Sequence, residues 1–291
     1  METIVQMLIK LTSFYELSIG YLSITEVRGT LFFLVGGIIG SFINVLICRL
    51  PSMSEADAFA EVLEKFPNLS SQIDVDEKLF ETDLYSPSRA PCCETRIKWY
   101  HNIPIVSWII LKGRCGYCLA PIQSSYLWIE VFVATIFCVI SISFESLTLI
   151  LLTCTLAAVL TVIALIDIRH KIIPDGLNFI IFVIMICAIN EGVLPTTLYS
   201  GLAQGIVMIS ILDLTNKVYV SRLGRPVIGG GDIKLLASVA VGLGLASTFF
   251  LFLVALLGSC IFNRFKNHEG EQPIGQWISL GILGYWICLI L

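Results

Sequence analysis

Long apolar runs alternate with short polar breaks over most of the chain. Runs near 29–48, 126–144, 147–166, 177–195, 198–216, 233–246, 247–263 and 274–291 approach the length of about 20 residues that crosses roughly 30 Å of hydrocarbon. A backbone in lipid must satisfy its own hydrogen bonds, so the pattern predicts helices throughout. The expected fold is an all-α polytopic membrane protein with about eight transmembrane helices. The stretch 233–263 is apolar without a break and is divided at 242–247, because one straight helix there would be too long. Without that division the count falls to seven and the last segment moves to the other side. Ahead of the first run, Ile4, Leu8, Leu11, Phe14 and Leu17 recur at roughly helical spacing, which suits a short helix lying against the membrane. No basic region followed by a small-residue cleavage site marks a signal peptide, so this segment is expected to stay attached.

The polar stretch from 51 to 124 is the only sizeable one and sits between the first and second spans. The chain therefore divides into an amphipathic segment 1–28, a first transmembrane helix 29–50, a loop domain 51–124 and a membrane-embedded core 125–291. Composition agrees: of 291 residues, 56% are apolar and 14% charged, and the mean hydropathy of +0.88 excludes a soluble domain. The net charge of −4 says little for a protein mostly in lipid and gives no reason to expect a nucleic-acid partner. Orientation follows from Lys and Arg, which accumulate at cytoplasmic helix ends and short loops. With eight crossings, Arg49, Arg169, Lys171, Lys217, Arg222, Arg225, Lys234, Arg264 and Lys266 share a side with the loop domain, while Lys10 and Arg28 lie opposite. That side is expected to be cytoplasmic.

In the first span, Gly36, Gly37, Gly40 and Ser41 allow another helix to approach closely, and Asn44 can bond across the contact. The span is expected to end at Arg49-Leu-Pro51. The first half of the loop is acidic, with a short helix expected over 55–66, and carries no assigned chemistry. Its second half holds Cys92, Cys93, Cys115 and Cys118. Thiols facing a reducing compartment bind metal more often than they form structural disulfides. Cys115-Gly-Tyr-Cys118 has zinc-knuckle spacing, and Cys93 with Cys92 could complete a tetrahedral site. The six cysteines at 48, 138, 154, 187, 260 and 288 read as small buried hydrophobes. The sequence shows no internal repeat.

Two carboxylates stand out. Asp167 closes one apolar run, and Asp232 follows Gly229, Gly230 and Gly231 to open another, with two crossings between them. Carboxylates in membrane helices are functional candidates by default. Each has a plainer alternative: Asp232 as a helix cap, Asp167 as a partner of Arg169 or Lys171. Three glycines, however, exceed what a cap needs and let another backbone come close. Ile173-Pro-Asp175 adds a stiff turn at the same membrane face. Two acids on separate helices at one depth, beside room for a chain, suit water-driven peptide hydrolysis: they share a proton, one activates water and the other polarises the carbonyl. Asp175, Asp213 and Glu130 are the competing carboxylates.

At these residues the chain resembles the type IV prepilin peptidases, membrane aspartic proteases of the GxGD class that also N-methylate their product. The resemblance rests on Gly40-Ser-Phe-Ile-Asn-Val45 with Arg49-Leu-Pro51, Asn102-Ile-Pro-Ile-Val-Ser-Trp108, Gly113-Arg-Cys-Gly-Tyr-Cys118, Tyr126-Leu-Trp-Ile-Glu130, Asp167 with Ile173-Pro-Asp175, and Gly229-Gly-Gly-Asp-Ile-Lys-Leu-Leu236. It implies Asp167 and Asp232 as the catalytic pair, and cleavage of prepilins or pseudopilins after a glycine at the cytoplasmic face of the bacterial inner membrane. It further implies methyl transfer from S-adenosylmethionine to the new N-terminal residue. Two departures from the family pattern concern the loop, where Ala90 stands at the first cysteine's place, and Gln272-Pro-Ile-Gly-Gln276, which matches a family turn loosely. Two rival readings use the same features differently: a proton-coupled transporter with the carboxylates as a relay, and a non-catalytic scaffold whose cysteine loop binds a partner.

Overall fold

The computed structural model describes residues 2–66, 86–266 and 274–290, with side chains from Ile24 onward except at 57, 58, 61 and 263–266. Helix α1 spans Glu2–Lys65. A 3-10 turn at Trp99–His101 and the short α2, Val106–Ile110, lie in the loop region. Then follow α3 Ser124–Ser143, α4 Leu147–His170, α5 Asp175–Asn190, α6 Leu198–Leu223, α7 Gly230–Leu243, α8 Leu245–Lys266 and α9 Gly275–Ile290. No strand occurs among the described residues, only two isolated bridges. Contacts divide the chain into two compact units, Met1–Asn44 with Pro87–Cys154, and Val45–Ser86 with Thr155–Leu291.

Among the described residues, five helical segments are long and apolar enough to cross a bilayer: Ile24–Ala56, Ser124–Ser143, Leu147–His170, Leu198–Leu223 and Leu245–Phe262. Helices α5 and α9 have 16 residues each and α7 has 14. At about 1.5 Å per residue these three reach only ~21–24 Å, short of the roughly 30 Å hydrocarbon layer. The expected break within 233–263 falls at Gly244, whose φ of +86° is open to glycine and strained for other residues.

The structure departs from expectation at α1. Its backbone continues through Pro51 rather than ending there. Proline removes one backbone donor, but the residues beyond it, 52–65, are rich in Ala and Glu and favour a helix. The helix expected over 55–66 is thus the end of α1. The amphipathic character expected for 4–22 lies outside the described side chains, and most of the acidic half of the loop lies outside the described residues.

In the first unit, Gly36 and Gly40 of α1 face α3 at close range. A Cβ on Gly36 would stand 2.8 Å from the Ala134 backbone, and one on Gly40 would stand 2.8 Å from that of Glu130. The Asn44 side chain donates to the Tyr126 carbonyl at 3.2 Å, completing the small-residue contact anticipated from the sequence. In the second unit α7 is the core, burying Ile233, Leu235, Leu236, Val239, Ala240 and Val241. It packs against α5, α6 and α8. Gly201 and Gly205 of α6 lie directly on the α7 backbone at Val241 and Ala237.

Candidate active site

Asp167 sits on the last turn of α4 and is 5% exposed. Its Oδ2 accepts from the backbone N–H of Gln276 at 3.0 Å, in the first turn of α9. Gly275 lies so close that a Cβ there would stand 3.0 Å from the Asp167 carboxyl carbon. Asp232 occupies the first turn of α7. Its Oδ1 is buried and has no hydrogen-bond partner, and it does not cap the helix, whose N-cap is Gly229 with no side-chain bond. The capping alternative is therefore not realised. Gly275, which lies against the Asp167 carboxyl, and Gly231, next to Asp232, both pack on Ile173, so the structure brings the two acids of the sequence reading to one place.

Three short helices open at this point. Ile173, just before α5, lies between Gly231 at the start of α7 and Gly275 at the start of α9: a Cβ on Gly231 would be 2.8 Å from Ile173 Cβ, and one on Gly275 would be 3.0 Å from Ile173 Cδ1. Helix N-termini carry partial positive charge; that of α9 supplies the Gln276 N–H to Asp167, and that of α7 carries Asp232 in its first turn.

The three glycines, read alike from the sequence as room for substrate, differ in the structure. Gly231 makes space for Ile173 of the same chain, and Gly229 makes space for Asp232, since a Cβ there would lie 2.8 Å from Oδ2. Gly230 alone faces open space. Each competing carboxylate has a partner. Asp175 receives Lys234 Nζ on both oxygens at 2.7 and 2.6 Å. Asp213 pairs with Lys217 at 2.7 Å one turn along α6, and Glu130 accepts from the Ile105 N–H at 2.7 Å. The sequence reading missed Ile173, Gln276 and Lys234 as parts of this site. The only available signal was their adjacency to Pro174, to the loosely matching Pro-Ile-Gly-Gln turn and to Asp232.

The cysteines of the loop form a separate cluster. The sulfurs of Cys92, Cys93, Cys115 and Cys118 all lie within 4.8 Å of one another. Cys92 and Cys118 are 3.1 Å apart, and Cys93 and Cys115 are 4.0 Å apart. A tetrahedral ion with ~2.3 Å bonds to sulfur needs thiolates about 3.8 Å apart, so the set fits a metal. N–H groups of Cys118 and Tyr117 draw the Cys115 thiol down to about 6, while sharing a proton with Cys118 pushes Cys92 up to about 12.

Two matching turns build the cluster. Cys115 N–H donates to the Ala120 carbonyl and Leu119 N–H to that of Cys115; Ala90 N–H donates to Thr95 and Glu94 N–H to Ala90 in the same pattern. Leu119 and Glu94 each have positive φ, 61° and 53°, and each turn is closed by one antiparallel bridge, Arg114 with Pro121 and Arg89 with Arg96. This local repeat, absent from the sequence reading, puts Ala90 where Cys115 stands, and both are buried. Cys92 supplies the fourth sulfur from a different position on its turn.

Comparison with known proteins covers the same two regions. The bacterial peptidase A24 N-terminal domain matches residues 34–144, and the type IV leader peptidase family matches residues 154–263. A prepilin leader peptidase/N-methyltransferase of Aeromonas salmonicida is 32% identical over 276 residues, covering 90% of each chain. That of Xanthomonas campestris pv. campestris is 29% identical over 271 residues, covering 87% of this chain and 89% of its own. A type 4 prepilin-like proteins leader peptide-processing enzyme of Escherichia coli is 30% identical over 265 residues, 85% of this chain and 89% of its own. No solved structure gives a significant match. Helical architecture, the paired acids and these matches together make the chain an integral membrane protein of the type IV leader peptidase family.

Proposed function

We propose that this protein removes the leader peptide of type IV prepilins or pseudopilins at the cytoplasmic face of the inner membrane, and N-methylates the residue it exposes. The observation that carries the reading is the convergence of Asp167 and Asp232, two acids from different helices, on the Ile173 turn through Gly275 and Gly231, while Asp175 and Asp213 are held in ion pairs with Lys234 and Lys217. The concentration of Lys and Arg at the helix ends around both acids supports the cytoplasmic side. A proton relay would be expected nearer mid-membrane, and both acids lie at helix ends.

In the mechanism, Asp167, held by the Gln276 N–H, is the anionic member and takes a proton from water. The water oxygen bonds to the scissile carbonyl carbon. Asp232, whose Oδ1 has no hydrogen-bond partner among the described residues, holds the shared proton and gives it to the developing oxyanion. Collapse of the tetrahedral intermediate returns a hydroxyl proton to Asp232 as the C=O re-forms and breaks the C–N bond, and the proton taken by Asp167 passes to the leaving amine. The products are a leader carboxylate and a new N-terminal amine; S-adenosylmethionine would be the methyl donor to that amine, leaving as S-adenosylhomocysteine with loss of one amine proton. Gly230 leaves space for the extended substrate chain beside Asp232.

For the cysteine cluster the proposed ion is zinc in a structural role, held by Cys92, Cys93, Cys115 and Cys118. The full-length protein, incubated with a prepilin and S-adenosylmethionine, should give a product whose mass shows loss of the leader and gain of one methyl group. An intact prepilin would overturn the peptidase reading, and a cleaved but unmethylated product would overturn the methyltransferase part alone.

A further inference from the structure

The glycine run before Asp232 has no side chain of its own to hold it. From Ile228 to Asp232 the chain passes through three consecutive glycines, the residues that lose most conformational freedom on ordering. Something outside the run must fix its entrance, or the carboxylate would inherit its play.

That anchor is Asn216 of α6. Its Oδ1 accepts from two consecutive backbone N–H groups, Val227 at 3.2 Å and Ile228 at 3.0 Å. Its Nδ2 donates to the Ile228 carbonyl at 2.8 Å. The three bonds fix the orientation of the amide, because turning it over would set an NH2 group against two N–H donors and its oxygen against a carbonyl. Both faces of the Ile228 residue are thus gripped one position before Gly229, the N-cap of α7. The Gly229 carbonyl then accepts the Ile233 N–H at 3.1 Å as the helix starts. No other residue type meets this demand at the same length: Asp lacks the donor when ionised, Ser and Thr are too short for a three-point grip, and Leu offers nothing polar.

We infer that Asn216 is a positioning residue for the peptidase reaction, setting Asp232 against Asp167 by clamping the peptide that leads into the glycine run. The inference rests on the proposed pairing of those two acids.

The test compares full-length wild type, Asn216→Ala, Asn216→Asp, Ser210→Ala and Asp232→Asn, all in lipid, for prepilin cleavage across a pH series. Ser210 sits on the same helix and bonds only to the Ile206 carbonyl one turn back, so Ser210→Ala should behave as wild type. Asn216→Ala should lower kcat by about 10- to 100-fold, the scale of a misplaced catalytic group, with KM within about threefold. The carboxyl introduced by Asn216→Asp offers both an acceptor and a donor only when protonated. Its activity relative to wild type should therefore rise as pH falls, whereas the Asn216→Ala ratio stays flat. A kcat within about twofold of wild type for Asn216→Ala would overturn the inference. So would a flat ratio for Asn216→Asp, which decides the matter even if Asn216→Ala does not fold. Retained cleavage by Asp232→Asn would instead overturn the pairing on which the inference stands.

Discussion

Replacing Gly231 by Ala adds one methyl group at the tightest contact of the site. That carbon would stand 2.8 Å from Ile173 Cβ and 3.3 Å from the Ile173 carbonyl oxygen. Carbon atoms rest about 3.5–4.0 Å apart, so relief requires a shift of roughly 1 Å between the start of α7 and the turn before α5. Ile173 cannot absorb it quietly, since its tip points at Gly275, which itself lies against the Asp167 carboxyl. Overpacking of this kind costs about 1–3 kcal/mol, and a ~1 Å displacement between the two acids should slow cleavage about 100-fold. Gly176→Ala in α5 is the matched control: its methyl meets nothing within 4 Å, and alanine gains up to ~1 kcal/mol over glycine in a helix. Leader-removal rates per mole of folded protein, with thermal stability measured alongside, should separate the two variants. Equal rates for Gly231→Ala and Gly176→Ala would refute the reasoning.

Other expectations follow from the same contacts. Cys92→Ala should lower the zinc content of purified protein, and adding Ala90→Cys should restore it by returning the fourth sulfur to the place that mirrors Cys115; metal analysis after dialysis reads both. Zinc uptake by metal-stripped protein should release protons, because Cys92 is held up to about 12, and should weaken as pH falls toward the value of about 6 to which Cys115 is drawn. Asp175→Asn should leave most of the cleavage activity, since Asp175 is spent on an exposed ion pair with Lys234; a loss equal to that of an Asp167 or Asp232 variant in the same assay would contradict this.

The all-helical membrane character, the break at Gly244 and the approach of α1 to α3 were legible because they depend on run length and on small residues at fixed spacing, whereas the shortness of α5, α7 and α9 was not. So were the two acids, which stand out as charges beside apolar runs. The continuation of α1 through Pro51 was not legible: proline signals an ending, and only tertiary context and the helix-forming residues beyond it decide otherwise. Nor could the sequence separate Gly229, Gly230 and Gly231, because what distinguishes them is the neighbour each one meets across the fold. Asn216 was hidden for the same reason, since its partners lie 11 and 12 positions away and it stands among other polar residues, Asp213, Thr215 and Lys217, that give it no distinction in sequence. The paired turns around the cysteines share backbone geometry but little side-chain identity, which kept the repeat out of sight.

Cleavage of a prepilin by Asp167→Asn and Asp232→Asn, each matched to wild type for amount in the membrane, tests the central claim most directly. The account predicts that neither variant releases the leader. Release by either one at a rate near that of wild type would contradict it.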